Sequence, residues 1–108
     1  MADILEYVYN DRNNTIDLLL KEGGVAIDLS AVTRMVLTDI GGAWSVDEVT
    51  VPAAFDRSLT VTGKVVIALG DQGITAGRYS VRLIVYDAVN TDGIIWGDPD
   101  DFFIIVVI

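Results

Sequence analysis

The clearest pattern in the chain is a period-two alternation of side-chain character over residues 77–87. One face of this segment carries Tyr79, Val81, Leu83 and Val85, and the other carries Ser80, Arg82, Ile84 and Tyr86. A period of two among β-branched and aromatic residues is typical of a half-buried β-strand. We therefore predict that 77–87 forms a central strand whose Tyr79 face lies in the core.

Shorter runs of the same kind recur along the chain. The remaining predicted strands cover 4–9, 15–21, 25–27, 32–39, 64–69, 94–96 and 102–108. Turns rich in Gly, Asp and Asn separate them, and these residues favour turns because they tolerate positive φ or bond to nearby backbone. The pattern over 43–63 is less regular, and 48–51 and 59–62 are its candidate strands. We expect Leu29 to close one end of the core.

The alternation also predicts which side chains point inward. The inward positions of the strands over 15–21 and 64–69 are Ile16, Leu18, Leu20, Val65, Ile67 and Leu69. Two phases fit 32–39: either Met35 and Leu37 face the core, or Val32 and Val36 do. We favour Met35 and Leu37 because that phase leaves the charge of Arg34 in water.

The spacing of these runs predicts the fold class. No segment shows a sustained helical period, so we expect an all-β fold. About 7–9 short strands with turn signals between them indicate an immunoglobulin-like antiparallel β-sandwich, forming a single domain over 1–108. In such folds a tyrosine at the corner before a central strand bonds back to upstream backbone, and Tyr79 is the candidate for that role.

Charge and composition narrow the range of functions. The 108 residues contain 16 acidic and 7 basic side chains, giving a net charge of −9. This balance disfavours binding to nucleic acid and to anionic membranes. The chain contains no histidine and no cysteine, which removes Ser-His-Asp and Cys-His catalysis, imidazole metal sites and disulfides. We predict that it is not an enzyme and uses no cofactor.

Two groups of residues are weak candidates for ligand binding. Five aspartates follow the central strand: Asp87, Asp92, Asp98, Asp100 and Asp101. Calcium takes six to eight oxygen ligands, which loop carboxylates can supply, but we favour a solvated acidic loop without metal. The two tryptophans, Trp44 and Trp96, are candidate sugar platforms, although a role in the core or in subunit contacts is favoured.

The last strand, 102–108, is apolar on both faces, whereas a strand with one wet face should alternate. Left exposed, it would be an aggregation hazard, so something should cover its outer face. We prefer burial against another subunit; the alternative is that segment 43–55 folds over it. The predicted contact residues are Trp96, Phe103, Ile105 and Val107. The core-facing residues would then be Phe102, Ile104 and Val106, although the opposite facing is also compatible with the pattern.

Four segments together resemble a known family. They are TIDLLLKEGG at 15–24, IDLSAV at 27–32, GKVVIAL at 63–69, and AGRY at 76–79 leading to a strand that ends in VYD at 85–87. Their order and spacing are similar to the immunoglobulin-like domain of baseplate upper proteins from tailed bacteriophages and related small phage tail proteins. Segment 43–55 has no counterpart in this resemblance.

The resemblance implies a structural bacteriophage virion protein, associated with the tail or baseplate, that acts by protein–protein assembly. It supplies no catalytic residues. The implied partners are other phage virion proteins and copies of the chain itself, and the implied location is the virion, assembled in the cytoplasm of the bacterial host. The alternatives are a capsid decoration protein and a module that binds host-surface carbohydrate.

Overall fold

A computed structural model describes residues 4–22, 24–96 and 103–108 of the chain. The described strands are β1 (Ile4–Val8), β2 (Thr15–Leu19), β3 (Lys21–Glu22), β4 (Val25–Ala26), β5 (Arg34–Asp39), β6 (Ser45–Asp47), β7 (Phe55–Asp56), β8 (Lys64–Ala68), β9 (Gly77–Tyr86), β10 (Ile94–Trp96) and β11 (Phe103–Val107). Two single-turn 3-10 helices, Pro52–Ala54 and Thr60–Thr62, complete the described elements. The fold is therefore all-β, as predicted. In this part of the chain no helix has the length and apolar character needed to cross a membrane.

The strands form two main sheets, and β9 is central to the larger one. The larger sheet has the order β1-β11-β9-β5-β6, with β10 also paired to β9. One edge of β9 pairs with β5, while its other edge pairs with β11 in its first half and with β10 in its second. The smaller sheet has the order β2-β8-β7, and β3 and β4 form a separate hairpin. All described pairs are antiparallel except β1 with β11, which is parallel, so the prediction of a purely antiparallel fold is corrected at this edge.

Both sheets contribute alternate side chains to one hydrophobic core. The predicted inward positions of β2, β8 and their flanking residues are confirmed, since all six side chains are at most 1% exposed. Met35 and Leu37 are fully buried, which confirms the favoured phase of β5, and Leu29 is 3% exposed. Burial of one such side chain stabilises the fold by about 1.5–3 kcal/mol. Strict alternation therefore located the core correctly wherever only one face of a strand is buried.

The start of β9 is fixed by a hydrogen bond from Tyr79. Its hydroxyl donates to the carbonyl oxygen of Thr75, four residues upstream, at 2.5 Å. The bond confirms the predicted corner role of this residue. The Tyr79 ring also packs edge-to-face against Trp44, with ring centroids 5.6 Å apart and an interplanar angle of 83°. This geometry is a favourable one for an aromatic pair, so Tyr79 joins the corner of β9 to the segment that follows β5.

The two strands predicted within 43–63 were wrong. Residues 48–51 form a turn after β6, because the Asp47 carboxylate accepts from the Val49 amide at 3.0 Å and the Asp47 carbonyl accepts from Thr50 and Val51. Residues 59–62 lie at a 3-10 helix in which two threonine hydroxyls bond to carbonyls three residues upstream. Local side-chain bonds of this kind compete with strand pairing. The strands in this region are β6 and β7 instead.

One ion pair connects the two sheets at their β6–β7 edge. The Arg57 guanidinium, just after β7, makes two contacts with the Glu48 carboxylate, just after β6. It also donates to the Val32 carbonyl at 2.6 Å, while Glu48 accepts from the Met35 amide at 3.2 Å. Arg57 and Glu48 side chains are 31% and 13% exposed. The pair therefore closes this edge of the core with polar groups that satisfy one another.

Candidate protein-interaction surface

The structure reverses the predicted facing of the last strand. Ile105 and Val107 were predicted to contact a partner, but they are 0% and 4% exposed and belong to the core. The reason is their register: they pair with Tyr79 and Gly77, on the side of β9 whose side chains point inward. A side chain buried within its own chain is not available to a partner. The other face of β11 carries Ile104, which is also buried at 6% exposed, and Val106, which is half-buried. The side chains of Phe102 and Phe103 lie outside the described residues.

Both tryptophans are partly buried. Trp96 pairs with Leu83 and packs against the core, and a contact made by the rest of its ring stays a prediction. Trp44 also packs against the core, beside Tyr79. Carbohydrate-binding sites that use tryptophan depend on an exposed ring face. Partial burial of both rings favours a structural role over a sugar platform.

Segment 43–55 does not cover β11. Its strand β6 lies at the far edge of the larger sheet, and both β9 and β5 separate it from β11. The segment then crosses to β7 in the smaller sheet. The alternative explanation for the apolar outer side of the last strand is therefore wrong, and the outward side of the larger sheet is the surface to consider.

We define the outer face as the described outward side chains of the larger sheet, which alternate with the core positions. Its members are Tyr7, Arg34, Val36, Thr38, Ser45, Asp47, Arg78, Ser80, Arg82, Ile84, Tyr86, Ile95, Ile104 and Val106. Tyr7 and Ile95 are 58% and 51% exposed, Ile84, Tyr86 and Val106 are half-buried, and Val36 and Ile104 are buried. Exposed and partly exposed apolar side chains on one sheet surface make it a candidate protein-contact site.

The outer face also differs from the rest of the chain in charge. It carries three of the seven basic residues, Arg34, Arg78 and Arg82, but Asp47 is its single acidic residue among the described positions, against sixteen acids in the whole chain. Arg34 is neutralised by Asp47, with Nε–Oδ1 and Nη2–Oδ2 distances of 3.0 and 2.5 Å. Hydrogen bonds from Arg34 lower the pKa of Asp47. Arg78 and Arg82 have no ion-pair partner within the described ranges.

Arg34 has a second contact that fixes its position. Its guanidinium carbon lies 4.8 Å from the centre of the Tyr86 ring, so the cation sits over an aromatic face. Contacts of this kind contribute about 0.5–1 kcal/mol at exposed sites. The ion pair with Asp47 and the contact with the Tyr86 ring together fix the position of the Arg34 guanidinium. The cations that remain available on the outer face are Arg78, which is exposed, and Arg82, which is half-buried.

Of the five weak calcium candidates, Asp87 and Asp92 lie in the described part of the chain, and Asp92 is exposed. Asp87 is used locally. Its carboxylate accepts from the backbone amides of Val89 and Asn90, at 2.9 and 2.6 Å, and from the Asn90 side chain. The hydrogen bonds from Asn90 lower the pKa of Asp87. Its oxygens are thus used to close the turn between β9 and β10. Asp98, Asp100 and Asp101 lie outside the described residues. Among the residues that the structure describes, no three Asp or Glu side chains are grouped closely enough to hold a metal ion.

Sequence reasoning missed the outer face as a surface. The signal was present in the central strand, where the period of two places Arg78 and Arg82 on the same side as Ile84 and Tyr86. Those positions were interpreted only as the polar side of the alternation. Comparison of the chain with protein-family models, with curated proteins and with solved structures finds no match in any of the three.

Proposed function

We propose that this chain is a non-catalytic assembly module that holds other protein subunits through its outer face. The observation that carries the proposal is the outer face itself, which combines partly exposed apolar side chains with two unpaired arginines and is nearly free of acids among its described side chains, in a chain of net charge −9. Neighbouring strands lie about 4.8 Å apart and each residue extends a strand by about 3.4 Å, so the 32 strand residues of the larger sheet cover roughly 500 Å². Stable interfaces bury about 800 Å² per partner, so the face supplies more than half of that area.

We further propose that the fold is an immunoglobulin-like β-sandwich. In that fold strands B, E and D form one sheet and strands G, F and C form the other, extended by C′ in variable-type domains. The orders β2-β8-β7 and β11-β9-β5-β6 support this assignment, with β9 as strand F. The Tyr79 hydrogen bond near the start of β9 is a second supporting feature, since the tyrosine corner lies at the same place in the fold.

The biological setting we propose is the bacteriophage virion, in the tail or baseplate, as the resemblance in four sequence segments implies. A structural protein of this kind needs a stable scaffold and a surface that binds its neighbours, and it needs no catalytic residues. The chain lacks histidine and cysteine, and the partly exposed apolar side chains of its outer face would supply the adhesive surface. The partners would be other virion proteins and copies of the chain, and a decoration protein on the capsid would use the same face.

Virion content tests this function directly. Phage particles from the source culture would be purified on a density gradient, and the chain would be quantified by mass spectrometry against a known tail protein. A fixed copy number per particle that survives a high-salt wash is the expected result. Absence of the chain from washed particles, with the tail protein present, would refute the virion assignment.

A further inference from the structure

We propose that the outer face binds the outward side of the smaller sheet in a second copy of this chain, so that copies associate head to tail. This inference rests on the proposed function, because both use the outer face. It adds the identity of one partner and the symmetry of the contact. Three observations lead to it: the cations of the outer face, the acids on the opposite side of the molecule, and the poor match of the outer face to itself.

The first observation concerns two arginines on the central strand. Arg78 and Arg82 lie on the same side of β9, four residues apart, which corresponds to about 13 Å along a strand. Neither has an ion-pair partner among residues 4–22, 24–96 and 103–108. The Nε of Arg82 is shielded from solvent and has no acceptor in the same ranges. A buried donor without an acceptor is destabilising, and a partner that supplies carboxylates would satisfy it.

The second observation concerns the smaller sheet. Asp17 of β2, Val66 of β8 and Asp56 of β7 lie side by side across its outward surface. Two strand spacings place the two aspartates about 10 Å apart, close to the spacing of the two arginines. Asp56 is exposed, and hydrogen bonds from Ser58 lower its pKa, so it is ionised at neutral pH. Leu19, which is 45% exposed, adds apolar area beside them.

Lys64 reduces the negative charge of this surface but does not neutralise it. Its Nζ lies 3.2 Å from the Asp17 carboxylate, and both side chains are partly exposed. An ion pair in that setting is weak and is screened by salt. Asp56 has no cationic partner within the described ranges, so it carries the charge that a second copy would meet. We therefore place the main contact between Asp56 of one copy and Arg78 of the next.

The third observation is that the outer face is not complementary to itself. A two-fold dimer through this face would bring the unpaired arginines of two copies towards each other, and like charges across an interface disfavour association. Head-to-tail contacts join two different surfaces, and such contacts produce rings if the rotation closes and filaments if it does not. The two surfaces lie on opposite sides of one core, so each copy keeps one surface free after the first contact.

A charge-exchange experiment tests the inference. Arg78→Glu and Asp56→Lys would be purified separately, with Arg12→Glu and Asp92→Lys as charge-matched controls at exposed positions off both surfaces. Circular dichroism would confirm that each variant folds. Light scattering over a range of concentrations, at about 50 and about 300 mM salt, would report the mass, since screening weakens contacts between exposed charges.

We expect the wild-type chain and both controls to associate in proportion to concentration, more strongly at low salt. Each test variant alone should associate at least about tenfold more weakly. A 1:1 mixture of the two should regain association, because the exchanged side chains at positions 78 and 56 on different copies are again opposite in sign. A wild-type monomer at every concentration, a closed dimer, or Arg78→Glu association equal to wild type would each overturn the head-to-tail contact. Those outcomes leave virion content, measured separately, as the test of the proposed function.

Discussion

The change Tyr79→Phe removes one hydrogen bond and little else. The Tyr79 hydroxyl donates to the Thr75 carbonyl at 2.5 Å, and the phenyl ring that remains keeps its edge-to-face contact with Trp44. A typical intramolecular hydrogen bond contributes about 0.5–1.5 kcal/mol. This bond lies at an exposed corner, where water can replace the lost donor, so we expect a loss of about 1 kcal/mol in the free energy of unfolding.

Thermal unfolding followed by circular dichroism, supported by urea titration, measures this loss. A change of about 1 kcal/mol lowers the Tm of a domain of this size by about 4–8 °C. Tyr86→Phe is the matched control, because the hydroxyl of Tyr86 makes no hydrogen bond among the described residues, and it should alter stability by less than about 0.5 kcal/mol. Equal stability of Tyr79→Phe and wild type would refute the corner bond as a stabilising feature. A loss far above the range for one hydrogen bond, more than about 3 kcal/mol, would show that the hydroxyl has another role.

Three further predictions concern the core, the sheet connection and acid stability. Leu83→Ala, at a fully buried site in β9, should cost about 2–5 kcal/mol in urea unfolding, and a cost below about 1 kcal/mol would contradict the described core. Arg57→Leu leaves the partly buried Glu48 carboxylate unpaired, so adding Glu48→Leu should restore part of the lost stability; a double variant less stable than Arg57→Leu would contradict the ion-pair assignment. Asp47 has a pKa lowered by Arg34, so its stabilisation is complete above its ordinary value of about 3.9 and is lost as pH falls through the folded value. Asp47→Asn should therefore show a shallower fall in Tm between about pH 5 and 2, and an unchanged slope would contradict the pairing.

The strands whose one face is buried could be predicted from the sequence. In β2, β8 and β9 the burial alternates with the side-chain pattern, so both the strand and its inward face followed from period two. The sequence of the last strand does not indicate which of its faces points inward, because both faces are apolar. Its facing depends on the register of Ile105 with Tyr79 and of Val107 with Gly77, and that pairing is made between segments far apart in the sequence.

The segment between β5 and β8 could not be predicted for a different reason. Its course depends on single side-chain bonds, such as those of Asp47 to the Val49 amide and of Thr60 to the Arg57 carbonyl, which leave no periodic signal. The outer face was not predicted as a contact surface because an arginine in a strand normally marks the solvent-exposed side of that strand. Its significance becomes visible only when strand order places β9, β11 and β5 side by side and shows how few of the described acids accompany Arg78 and Arg82.

The central claim is that the outer face holds this chain in an assembly, and incorporation into phage particles tests it most directly. Particles would be produced with the chain supplied as wild type, as Ile95→Asp on the outer face, or as Val49→Asp, whose side chain is 72% exposed and lies off that face. A carboxylate at position 95 would be desolvated in the contact, which is strongly unfavourable. We predict that Ile95→Asp folds but is lost from washed particles, while Val49→Asp is retained at the wild-type copy number. Retention of Ile95→Asp at that copy number would contradict the claim.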